Sequence, residues 1–133
     1  MKRWMRLGAV AGLALVAGTG LLRGQDQASR KRAGFMRQKL EFAKEVLEGL
    51  TVEDYDTIAK SARALRLLSQ AAEWEVPTIP GVPDYIAYTN EFQRHADELA
   101  LRARQKNLDG ATLAYLKLTM NCISCHKYVR IPK

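Results

Sequence analysis

The sequence predicts an all-α protein, an antiparallel four-helix bundle. Three observations predict it. Four segments repeat their apolar residues at helical spacing. Three breaks rich in Gly, Pro, Asn and Asp separate them. No stretch alternates polar and apolar residues at period two for long enough to make a strand. Helices near 20 residues span about 30 Å each, and short connections make neighbours antiparallel.

The elements follow in order. Residues 25–33 are polar and basic and read as a flexible leader, and 34–133 as the bundle. In the first helix Met36, Leu40, Ala43 and Leu47 form the apolar stripe, flanked by Phe35, Phe42 and Val46. Gly49 and Thr51 end it, and Thr51 with Asp54 reads as a capping box for the next helix. There Ile58, Ala62, Leu65, Leu68 and Ala72 repeat at three and four, with a stop near Trp74. Glu75 to Pro83 holds three prolines and a glycine, which makes it a loop. Asp84 can cap a third helix reaching about Asn107, with Tyr85, Tyr88, Phe92, Leu99 and Ala103 inward. The fourth helix runs from about Ala111 to Val129. Its expected buried side is Leu113, Leu116, Thr119, Cys122, Ile123 and His126.

Composition narrows the function. The 133 residues are 47% hydrophobic and 26% charged, which suits one globular domain. The formal charge is +7, but four of the 21 basic residues lie in the first 24 residues, which have no acid. Residues 25–133 therefore carry 17 basic against 14 acidic residues, a mild and interleaved excess that predicts no nucleic-acid partner. Residues 1–24 combine a basic start with an uncharged apolar run, Leu7 to Leu22, before polar sequence resumes. That is the pattern of a secretory signal peptide. The rival reading is an uncleaved membrane anchor, though sixteen residues fall short of the roughly 20 a spanning helix needs. Either way the remainder is exported, to the periplasm in a bacterial cell, and touches a membrane only if the segment is retained.

The chemistry sits in Cys122-Ile123-Ser124-Cys125-His126, which contains both cysteines and one of the two histidines. C-x-x-C-H is the attachment motif of c-type haem. Residues three and four apart share a helix face, so Cys122 and Cys125 can form thioethers to the vinyl groups while His126 ligates the iron. One covalent haem c is the expected cofactor. Zinc would be left with an incomplete tetrahedron. A dithiol redox pair would sit at a helix N-terminus after a strand. No carboxylate dyad, Ser-His-Asp set or phosphate loop is present, so no enzyme activity is expected.

With its motif on the last of four helices, the exported chain resembles the cytochrome c′ family over about residues 30–131. The family often places an arginine four residues after the axial histidine, and Arg130 fits. It usually has an aromatic residue directly before that arginine; here Val129 stands there and Tyr128 is displaced by one. On the first helix the family carries an arginine followed four residues later by the residue facing the distal side of the haem. Arg32 and Met36 match that spacing, whereas an alternative register on Arg37-Gln38 would put Glu41 there. The resemblance implies one-electron transfer if Met36 is the sixth ligand. It implies a five-coordinate site binding NO or CO if Met36 is core filler and Leu40 guards the iron. It also implies a homodimer through the first two helices; the sequence leaves the redox partner unnamed. Arg32, Arg37, Lys127 and Arg130 are candidates to pair with the haem propionates, and Trp74 to pack on the porphyrin edge. His95 reads as a surface residue, and Met120 lies on the wrong helix to reach the distal side. A third class remains open, a helical binding module in which C-x-x-C is only a dithiol or disulfide.

Overall fold

The structure, a computed structural model, describes residues 27, 30–73 and 82–130. The expected signal segment, Trp74 and most of the Pro-rich loop lie outside the described residues. The chain divides into two units, Met1–Gly34 and Phe35–Lys133. In the first, residues 27 and 30–34 are helical and exposed. Residues 30–33 are therefore helix rather than leader, as Arg-Lys-Arg-Ala, all good helix formers, permits.

All four expected helices form, and no strand occurs among the described residues. They are α1 (30–52), α2 (Tyr55–Glu73), α3 (Val82–Arg104) and α4 (Leu108–Arg130). Cross-contacts close the ring. Ser61 Oγ on α2 donates to Glu45 Oε2 on α1 at 2.6 Å. Arg66 Nε meets Asp97 Oδ2 between α2 and α3 at 2.9 Å. Asn121 Nδ2 on α4 donates to Glu91 Oε2 on α3 at 3.4 Å. Tyr115 OH on α4 donates to the Ala43 carbonyl on α1 at 3.1 Å. The four helices thus pack against one another around the ring.

Two connections use one design. Glu53 and Lys106 adopt left-handed backbone conformations, φ 56° and 53°. The following amides then reach back five residues, Asp54 N to Gly49 O at 2.9 Å and Asn107 N to Arg102 O at 3.0 Å. These are the hydrogen bonds of a helix-ending Schellman turn. The residue that closes one helix also opens the next. Asp54 Oδ1 accepts from Thr57 N at 3.1 Å, and Asn107 Oδ1 from Gly110 N at 2.9 Å. Asp54 is therefore the α2 cap, and Thr51 is not part of a capping box. Its hydroxyl stays in α1 and donates to the Glu48 carbonyl at 2.7 Å. Asp84 lies in the first turn of α3 beside Pro83 rather than before it.

The core gathers Val46 and Leu50 from α1 and Ile58, Ala62 and Leu65 from α2. Phe92, Leu99 and Ala103 come from α3, and Ala111, Ala114 and Leu118 from α4. On α2 and α3 the expected Ile58, Ala62, Leu65, Phe92, Leu99 and Ala103 are buried, whereas Leu68, Tyr85 and Tyr88 are half-buried, and the Ala72 side chain lies outside the described residues. Two faces are rotated. On α1 the buried line is Val46 and Leu50, with Phe42 packed against it, while Leu40 and Leu47 are exposed. On α4 the buried residues are Ala111, Ala114, Leu118 and Asn121, and Leu113, Leu116 and Ile123 face outward. On α4 the reason is size. Small residues on the inner side let α4 approach its neighbours closely, and the bulky residues are left outside.

Candidate functional site

Where α1 and α4 face each other, a cleft of about 660 Å³ opens on the bundle. That lies inside the range of about 300–1,000 Å³ usual for ligand and cofactor sites. Its floor is core: Leu65, Phe92 and Leu118. One wall is α1, with Met36, Arg37, Lys39, Leu40 and Ala43. The other is α4, with Cys122, Ile123, His126, Lys127 and Arg130. Every charged residue in this lining is basic, so the site is an apolar trough with a cationic rim.

The two thiols are free and half-buried. Cys122 lines the cleft. Cys125, one turn on, does not, although it stays on the packed side of α4. Burial pushes both thiols above the ordinary cysteine range, and the Lys39 ammonium offsets part of that rise at each. Both are protonated near neutral pH. That opposes a dithiol redox pair, which works through a depressed thiol at a helix N-terminus. The motif lies instead in the C-terminal half of α4, where the helix dipole disfavours an anion. Among the described residues no group of three or more His, Cys, Asp and Glu side chains is placed to hold a metal ion by itself.

The structure brings most of the sequence-derived candidates together. Met36, Arg37, Leu40, Cys122, His126, Lys127 and Arg130 share the one cleft. Arg32 lies in the first unit and is exposed. Glu41, the distal residue of the alternative register, is exposed and pairs with Lys44 at 2.9 Å. His95 on α3 sits 3.6 Å from Glu91 Oε1 and is not in the cleft lining. Met120 faces outward. Tyr128 turns to α3, its ring centroid 5.6 Å from that of Tyr88.

Lys39 escaped the sequence reading. Its Nζ lies 4.7 Å from the Phe92 ring centroid, a cation–π contact on the cleft floor. The available signal was its position seven residues before Val46, a lone cation on the buried line of α1. Comparison with known proteins adds no kinship: no family model, no curated protein and no solved structure matches the chain.

Proposed function

We propose that this chain is an exported c-type haem protein of the cytochrome c′ kind that carries single electrons. One observation carries the reading. Cys122 and His126, four residues apart in C-x-x-C-H, line the same apolar cleft, and Met36 lines its opposite wall. The residues fit the group. Cys122 and Cys125 are protonated thiols suited to thioether formation, His126 supplies an imidazole nitrogen, and Arg37, Lys127 and Arg130 supply cations for two propionates. When bound, haem supplies a one-electron iron couple. The chain's part is to hold and tune it. His126 would hold the iron from α4, thioethers from Cys122 and Cys125 would fix the group's position, and Leu65, Phe92 and Leu118 on the cleft floor would keep water out. Met36 offers a soft sulfur that favours ferrous over ferric iron.

Leu40 favours a second reading. It also lines the α1 wall, one turn from Met36, and as a non-ligating distal residue it would leave the iron five-coordinate and open to NO or CO. The visible spectrum and the Met36→Ala variant decide. Electron transfer predicts a low-spin reduced spectrum that turns high-spin in the variant, with a lower potential and tighter CO binding. An unchanged spectrum and CO affinity transfer the site to the Leu40-guarded gas reading. A purified protein without a Soret band, or one that loses its haem to acid–acetone, refutes covalent haem. Met120→Ala serves as the control and changes nothing.

A further inference from the structure

The four-helix arrangement leaves α4 apolar on two opposite sides. One packs into the core. The other presents Leu113, Leu116, Met120 and Ile123 at 54%, 55%, 64% and 47% exposure. Their spacing of three, four and three makes a straight ridge about 15 Å long. Lys127 continues the line four residues beyond Ile123, and Lys117 and Arg130 flank it. Between Ala111 and Arg130 there are three such cations and no acid. The neighbouring α1 adds the exposed Leu40 and Leu47. An apolar helix side of this extent marks a docking surface.

The charge selects the occupant. A second copy of this chain, paired symmetrically, would set one cationic ridge against another. The other surface groove, between α2 and α3, also holds arginines and the exposed Leu67 and Leu101. Its lining sets four arginines beside two acids, Asp97, bound by Arg66 at 2.9 Å, and Glu98, bound by Arg102 at 2.6 Å, so acids interrupt its cations. Among the described residues no acid pairs with Lys117, Lys127 or Arg130 of the α4 ridge. On α4 the large apolar side chains have only Lys and Arg as charged neighbours, although Glu41 and Glu48 adjoin Leu40 and Leu47 on α1; such a helix side suits the interface of an anionic bilayer, where burial and headgroup attraction add. No helix among the described residues is long and apolar enough to cross a membrane, and an amphipathic helix side of this kind lies on a surface. We infer that the outward side of α4 is a peripheral docking surface for an anionic lipid membrane. The ridge shares Ile123, Lys127 and Arg130 with the cleft lining, whereas Leu113, Leu116 and Met120 lie outside it.

The test is cosedimentation of the protein, in the form processed by the exporting cell, with phosphatidylglycerol–phosphatidylcholine vesicles. The proposal expects binding that weakens with salt, is absent on pure phosphatidylcholine, and falls roughly tenfold or more in Leu116→Glu/Met120→Glu. Both sites are more than half exposed, so the fold tolerates the change, and far-UV circular dichroism verifies it. Leu67→Glu/Leu101→Glu on the α2–α3 side should bind like wild type. No vesicle binding, salt-insensitive binding, equal binding to neutral vesicles, or equal binding by the α4 variant overturns it. The last result would assign any attachment to another part of the chain.

Discussion

Replacing Gly49 by Ala should destabilise the bundle, although it puts a better helix former into a helix. Gly49 is buried near the end of α1. A Cβ built there lies 2.8 Å from Ile58 Cγ1 and 3.2 Å from the Asp54 carbonyl oxygen. Ile58 is fully buried and cannot swing outward, and the Asp54 oxygen is backbone in the turn that joins α1 to α2. The favourable term is about 0.5–1 kcal/mol of helix propensity. Overpacking in a closed core costs about 1–3 kcal/mol. The second wins, leaving a net loss of about 1–2 kcal/mol. For a domain of this size that lowers Tm by roughly 5–10 °C. Thermal unfolding followed by far-UV circular dichroism measures it. Ile58→Ala in the same background should make the two losses less than additive, because the clash partner is gone. An unchanged or raised Tm in Gly49→Ala would refute the reasoning and show that α1 and α2 can separate at this point.

Two further outcomes follow from ionisation. The Asp54 carboxyl is held below its ordinary range by its bonds to the Thr57 hydroxyl and amide. A depressed acid stabilises the folded state above its unfolded pKa and loses that effect as pH falls through the folded value. Wild type should therefore lose more Tm between pH 6 and pH 3 than Asp54→Ala does; parallel losses would remove Asp54 from the account. In the haem-free chain, burial keeps Cys122 and Cys125 largely protonated at pH 8, so iodoacetamide should modify them more slowly than a free cysteine. Lys39→Met should slow both sites further, since the lysine charge favours the thiolate, and an unaltered rate would place that charge too far away to matter.

Helix number and order were legible because each segment repeats at the helical period and each break carries residues that end helices. The cysteines and histidine were legible because their spacing is itself the chemistry. The direction of each helix face was less so. On α4 the period of the large apolar residues, Leu113, Leu116, Met120 and Ile123, is as regular as that of Ala111, Ala114 and Leu118. Hydropathy ranks the leucines higher, yet close packing selects the alanines. On α1 size does not decide, since Leu47 lies outside while Val46 and Leu50 lie inside. The caps were half legible. Thr51 and Asp54 are both good N-caps by type, and only the left-handed Glu53 decides that Asp54 takes the role.

Rotation of α4 has a consequence for the site. Were Leu113, Leu116 and Ile123 turned into the core, Lys127 would be carried inward with them, four residues beyond Ile123 on the same line. In the observed rotation Leu118, Cys122 and Cys125 take the packed side instead. His126 stays at the cleft edge, and Lys127 and Arg130 stay at its rim. The alanines of α4 thus do two things at once. They bring the helix close enough for Tyr115 to reach the Ala43 carbonyl on α1 at 3.1 Å, which ties the two walls of the cleft together. They also release four large apolar side chains to the surface, where nothing in this chain covers them among the described residues.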